Sequence, residues 1–183
     1  MATVIKGEIA VLLHNVRSAH NVGSIFRTAE ASRVSHVYLS GYTPLPKDRF
    51  GRAKKEIAKT ALGAEKLVEW THVSDPLKLV SRLMKRGWRI VGVEQDSRAR
   101  DYRAFKTKTS TVFVFGNEVR GLSLGLRKAC DELLEIPMHG RKESLNVSVA
   151  AGIVLFNTSI EAVSDFCCLG IVNHLYFLAL LFF

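Results

Sequence analysis

The sequence predicts one α/β domain built on a mostly parallel β-sheet. Three observations carry this. Short apolar runs alternate with amphipathic ones, as strands followed by covering helices do. No repeat of fixed period and no Pro/Gly/Ser-rich linker divides the 183 residues, a length that suits one domain with a substantial core. The composition, 48% hydrophobic and 23% charged, is that of a folded body and excludes a disordered chain.

In chain order, the first strand is predicted at Ile9–Leu13, followed by a helix over Val22–Ser32 that Asn21 is placed to cap. A strand at Val37–Leu39 leads into Gly41-Tyr42-Thr43-Pro44, which reads as the start of an exposed loop. A helix over Pro76–Arg86 carries its own punctuation: Ser74 as cap, Asp75 and Pro76 in the first turn, Gly87 just past the end. Strands at Arg89–Val93 and Thr111–Phe115, a helix at Leu122–Ala129, a strand at Leu133–Ile136 and a helix at Asn146–Ala162 complete the pattern. Residues 1–165 are assigned to this domain. Residues 166–183 form an uncharged hydrophobic tail, barely as long as a membrane span of about 20 residues. Asn173 and His174 interrupt it and no basic cluster flanks it, so a segment buried against the core, a dimer contact or a tail not native to the fold is preferred to a membrane anchor.

Lys and Arg outnumber Asp and Glu by 26 to 17, a formal net charge of +9 that favours a polyanionic partner. Two stretches concentrate it. Lys47, Arg49, Arg52, Lys54, Lys55 and Lys59 stand against Asp48 and Glu56, and Arg98, Arg100, Arg103, Lys106 and Lys108 against Asp96 and Asp101. Such runs are either solvated faces or nucleic-acid contacts, and the overall basicity favours RNA. The cysteines, Cys130, Cys167 and Cys168, give neither a disulfide framework nor a Cys/His metal spacing. A reducing, cytoplasmic setting is the simple expectation. The first 13 residues lack the features of a signal or transit peptide.

Three segments carry the chemistry. The first, Asn15 to Ala29, follows the first strand and opens a helix; Gly23 allows close approach of another backbone, and Arg27 reaches towards an anion near the helix start. By itself it also fits an ordinary capped helix with a surface arginine. The second, Val112-Phe-Val-Phe-Gly116-Asn117-Glu118-Val119-Arg120-Gly121-Leu122-Ser123, ends an apolar strand in a turn between two glycines. Ligands of open α/β sheets bind at such strand ends. Its GxxxxG spacing is not a phosphate loop, since Leu122-Ser123 stands where Lys-Ser/Thr is required, and no GxGxxG supports a Rossmann site. Glu118 is either a site carboxylate or a helix N-terminal acid facing the macrodipole. The third runs from Glu135-Ile136-Pro137-Met138 through a polar loop to Ser144-Leu145-Asn146-Val147-Ser148. Its helix is apolar nearly all round, which suggests burial against both its own sheet and a second subunit.

Taken together and in order, these strings resemble the three motifs of the SpoU/TrmH family of RNA ribose 2′-O-methyltransferases, in the SPOUT class, from about Ile9 to Phe156. The resemblance implies a doubly wound sheet with a C-terminal trefoil knot, S-adenosylmethionine as cofactor, and a homodimer whose active site combines two subunits. Carried over by position, it places the cofactor near Val93, Gly116, Ile136, Met138 and Leu145. Asn21, Arg27, Glu118, Ser144 and Asn146 become the polar site residues. A guanidinium resists deprotonation, so Arg27 is expected to hold a phosphate and steady the developing alkoxide, with Glu118 fixing the loop and Arg27. Asn21, Ser144 and Asn146 would orient the ribose.

The substrate implied is structured RNA, with tRNA favoured over rRNA because a minimal domain suits a compact substrate. Many relatives carry an N-terminal RNA-binding domain, whereas this chain starts almost at its first strand. RNA affinity is therefore expected from its own basic stretches or from a partner protein. After Phe156 the resemblance ends, which bears on dimer packing. A non-catalytic RNA-binding protein with the same fold is the alternative reading.

Overall fold

The computed structural model describes residues 7–106 and 109–167, with side chains described as far as residue 158 of the last helix. The elements are β1 (Ile9–His14), α1 (Ala19–Ala31), β2 (His36–Ser40), α2 (Lys55–Ala61), α3 (Ala64–Leu67), β3 (Glu69–Val73), α4 (Pro76–Lys85) and β4 (Arg89–Val93). They continue with β5 (Arg100–Asp101), a 3-10 turn at Tyr102–Ala104, β6 (Thr111–Phe115), α5 (Leu124–Ala129), β7 (Glu132–Glu135) and α6 (Val147–Cys167). The strands form one sheet in the order β3-β2-β1-β6-β4-β7-β5, and every pairing is parallel.

Alternation along the central strands builds two cores. Val11 and Leu13 of β1, Val91 of β4 and Phe113 and Phe115 of β6 face one layer with α1, α2, α3 and α6. Ala10 and Leu12, Ile90, and Val112 and Val114 face the other, with α4 and α5. Helices therefore cover both faces, and the sheet is doubly wound. Strand order and register alone do not define a knot, so the trefoil threading stands as the resemblance implies it.

α1 buries Val22, Ile25, Phe26 and Ala29, an i, i+3, i+4, i+7 stripe. Its cap is Ser18, whose Oγ accepts from the Asn21 amide at 3.2 Å; Asn21 lies in the first turn and is not the cap. Gly23 is needed where α1 crosses α2: a Cβ there would meet the Thr60 hydroxyl and the Ile57 carbonyl. The cap of α4 is Asp75, not Ser74, with Pro76 at the first helical position.

β3, α2, α3 and β5 are additions to the sequence reading. β3 is an edge strand with Glu69, Thr71 and His72 exposed, so it shows no clean apolar alternation. α2 is short and buries only Ile57 and Ala61, one turn apart. Among the described residues no helix is long and apolar enough to cross a membrane. The tail assigned to 166–183 lies outside the described residues from position 168 onward.

Candidate active site at the carboxyl ends of the central strands

β4, β6 and β7 end side by side, and the loops that follow them wall a cavity of about 350 Å3. This is within the range of small-molecule sites, and it lies where open α/β sheets bind ligands. Of the expected cofactor residues, Val93, Gly116, Ile136 and Leu145 line it, as do Glu118 and Ser144. Met138, although half-buried, is not part of the lining.

The turn after β6 is a small locked hairpin. Asn117 and Gly121 exchange backbone hydrogen bonds of 3.1 and 2.9 Å, with Gly121 at φ +63°. Gly116 permits this closure, because a Cβ there would meet the Gly121 carbonyl and the Leu122 amide. The buried Asn117 side chain accepts from the Val119 and Arg120 amides at 3.0 and 2.8 Å. Its amide nitrogen donates to the Asn15 carbonyl at 3.1 Å and to the Tyr42 hydroxyl at 3.0 Å. Glu94, at the end of β4, accepts from the Leu122 amide. Gln95 donates to the Ile136 carbonyl at 2.9 Å and so ties the β4 and β7 loops together. Asn117, Glu94 and Gln95 were not singled out from sequence; the Asn preceding Glu118 inside the glycine-bounded turn was the available signal.

This hairpin aims Glu118 at the start of α1. Its carboxylate accepts from the Arg17 amide at 3.0 Å, the Ser18 amide at 3.2 Å and Asn21 Nδ2 at 3.0 Å. Desolvation pushes the carboxyl up, but these donors and its own backbone N–H more than offset that and hold it below the usual glutamate value. Glu118 is thus a bound anion at the N-terminal end of α1, not of the helix that follows it. Asn21 Oδ1 in turn accepts from Asn146 Nδ2 at 3.1 Å, and Asn146 Oδ1 accepts from the Ser148 amide at 2.8 Å and its hydroxyl at 2.7 Å. Three of the expected polar residues therefore form one chain of contacts, Glu118–Asn21–Asn146, linking β6, α1 and α6.

Arg27 stands apart. It is exposed on α1, does not line the cavity, and has no hydrogen bond or ion pair among the described residues. Glu118 spends its carboxylate on residues 17, 18 and 21 and not on Arg27. Among the described residues no group of three or more His, Cys, Asp or Glu is placed to hold a metal ion. Cys130 is no nucleophile: burial, with Asp131 adding to it, pushes its thiol up to about 12.

Comparison with known proteins identifies the family and the fold. A Staphylococcus haemolyticus protein assigned to the TrmH family of tRNA/rRNA methyltransferases is 35% identical over 146 residues, 80% of this chain and 56% of the relative. The chain thus spans little more than half the length of that relative. The SpoU methyltransferase AviRb of Streptomyces viridochromogenes, solved in complex with AdoMet, superposes with a TM-score of 0.77 at 25% identity, covering 87% of this chain and 62% of that one. The TrmH/SpoU tRNA modifying enzyme of A. aeolicus superposes with a TM-score of 0.76 at 27% identity, covering 89% and 81%. The model of the SpoU rRNA Methylase family matches residues 8–156, most of the described domain, and the chain belongs to that family.

Proposed function

We propose that this protein transfers a methyl group from S-adenosylmethionine to a ribose 2′-hydroxyl of structured RNA, tRNA in preference to rRNA, and that it works as a homodimer. The observation that carries this reading is the joining of Glu118, Asn21 and Asn146 beside a strand-end cavity. The cavity suits the cofactor. Val93, Phe115, Ile136 and Leu145 offer apolar wall for an adenine and a thioether, while Glu94, Glu118, Glu135 and Glu143 offer negative charge to a sulfonium and an ammonium. When bound, S-adenosylmethionine supplies an activated methyl: the 2′-oxygen gains the carbon, the carbon–sulfur bond breaks, and the hydroxyl proton leaves to solvent.

The protein's part is alignment and charge stabilisation. Asn21 and Asn146 hold each other's amides in one orientation, a fixed polar surface on which a ribose can be seated. Ser144, exposed at the cavity wall, adds a hydroxyl to it. Glu118, already satisfied by four donors and held below its usual pKa, is a positioning residue and a poor proton acceptor. Arg27 supplies the fork for a phosphate and the developing oxyanion. Its distance from its own cavity is accounted for if it serves the cavity of a second subunit. The exposed Val149 and Phe156, on the side of α6 away from its buried Val147, Ala151 and Val154, fit such an interface.

The test is transfer of labelled methyl from S-adenosylmethionine to total small RNA and to ribosomal RNA, followed by nucleoside digestion. Label in a 2′-O-methyl nucleoside of the small fraction is the expected result. Label in a base-methylated nucleoside overturns the ribose assignment. Cofactor binding without label in either fraction favours a non-catalytic RNA-binding role.

A further inference from the structure

The loop between β2 and α2, read from sequence as an exposed basic run that favours RNA, is a built element. Lys47 and Ala53 pair in an antiparallel bridge, and the Asp48 amide donates to the Arg52 carbonyl at 2.9 Å. Asp48 braces the tip from within: its carboxylate accepts from the Phe50 amide at 2.8 Å, the Arg52 amide at 2.9 Å and Arg52 Nε at 2.7 Å. Those same bonds hold the Asp48 carboxyl below its usual value, so the brace is ionised at neutral pH. Gly51, at φ +77°, closes the turn. What this frame displays is Phe50, 67% exposed, with the Arg49 and Arg52 guanidinium carbons 4.8 and 5.1 Å from its ring centre.

The charge around this ring is unspent. Among the described residues Lys47, Arg49, Lys54, Lys55 and Lys59 have no ion-pair partner, and Arg52 pairs with Asp48 alone. The second basic stretch is the opposite case: Arg98, Arg100 and Arg103 pair with Asp96, Glu132 and Asp101. The loop also faces the right way. It leaves the carboxyl end of β2, next to β1, and Thr43 anchors its start through the Leu13 and Ser40 carbonyls at 3.2 and 2.8 Å. Tyr42 connects it to the Asn117 hairpin that walls the cavity.

We infer that the Lys47–Lys55 hairpin is an RNA-docking element in which Phe50 stacks on an unpaired base and Arg49 holds the adjoining phosphate. A lone exposed phenylalanine ringed by cations, on a braced tip, matches the single-stranded nucleic-acid platform of aromatic face plus phosphate-binding charge. Arg52 is held over the ring by Asp48, whereas Arg49 has no ion-pair partner among the described residues and can leave the ring for a phosphate. This rests on the RNA-modifying reading above and adds to it how the RNA is gripped away from the reacting atoms.

The experiment measures binding and needs no turnover, so it stands apart from the methyl-transfer test. The full chain is titrated into a fluorescein-labelled RNA stem-loop with an unpaired purine loop, and into a fully paired duplex. Phe50→Ala is expected to weaken stem-loop binding about ten-fold, or about 1.4 kcal/mol, and duplex binding hardly at all. Phe50→Trp is expected to retain stem-loop affinity, while Phe50→Leu, apolar but not planar, is expected to fall with the alanine variant. Arg49→Ala lowers affinity for both RNAs and reduces the slope of log affinity on log salt by about 0.7–0.9. S-adenosylmethionine affinity by calorimetry stays unchanged in all of them and confirms folding. Stem-loop binding by Phe50→Ala within two-fold of the parent, or Phe50→Leu binding as well as Phe50→Trp, overturns the inference.

Discussion

Glutamine at position 118 keeps the shape of the side chain and removes one acceptor and the charge. The carboxylate now divides its donors: Oε1 takes Ser18 N and Asn21 Nδ2, and Oε2 takes Arg17 N and, at 3.5 Å, Asn117 Nδ2. In the best glutamine orientation the carbonyl keeps the first pair and an NH2 group confronts the Arg17 amide. A hydrogen bond to a charged acceptor contributes roughly 1.5–3 kcal/mol, and the half-buried setting lets water recover part of it, so Glu118→Gln costs about 1–2 kcal/mol. For a chain of this size that lowers Tm by about 2–8 °C. The pH dependence adds a second check. The folded-state carboxyl lies below its ordinary 4.5, so its stabilisation is fully present above about pH 4.5 and is lost as pH falls through the folded value. Urea midpoints of parent and variant are therefore expected to differ at pH 7 and to converge in acid. Turnover is expected to fall about 10–100-fold through misplacement of Asn21 and Asn146, with cofactor affinity changed much less. Equal midpoints at neutral pH, or a gap that persists unchanged in acid, would refute the account of Glu118 as a bound anion.

Gly23→Ala pushes a methyl into the Thr60 hydroxyl and the Ile57 carbonyl, and since backbone cannot yield cheaply the cost is about 1–3 kcal/mol, read as a lower urea midpoint. His14 accepts at Nε2 from Asn15 and donates through Nδ1 to Ser40, and burial lowers its pKa. Its stabilisation is present above pH 6.5 and lost as pH falls through the folded value, so the fall in stability between about pH 7 and 5 is expected to be shallower in His14→Gln. Arg27→Lys keeps the charge but loses the planar fork, and methyl transfer is expected to drop about 10–100-fold with Tm unchanged, since Arg27 is exposed and unpaired among the described residues.

The sheet centre was legible because β1, β4 and β6 are buried on both faces and so read as unbroken apolar runs. The edge was not: β3 needs only one face covered, and Glu69, Thr71 and His72 hide its strand character. α2 escaped for a related reason. Its seven residues bury two side chains, and Gly23, 37 residues before Thr60, signalled a close backbone approach without identifying the partner. Cap positions moved by one to three residues because Ser18 and Asn21, or Ser74 and Asp75, are equally able to cap. Only the backbone path decides between them. In the site, Glu118 stood out as a carboxylate between two glycines. Its partners Arg17 and Ser18 did not, because the contacts are backbone amides about a hundred residues away and carry no residue-type signature. Asn117 was overlooked although it does the larger share of shaping the turn.

The two basic stretches show what sequence composition cannot separate. Both mix cations with a pair of acids, and both read as solvated faces or nucleic-acid contacts. In the second, short loops bring each acid back onto its neighbouring arginine, and Glu132 on the sheet takes Arg89 and Arg100 together, so the positive field is largely cancelled locally. In the first, the one acid inside the hairpin is consumed in bracing it, and the remaining cations point outward around an exposed ring. Counterion release depends on charge free to meet phosphate and not on charge present, so of the two stretches the first, where the fold spends its acid on backbone, is the one with charge left to give.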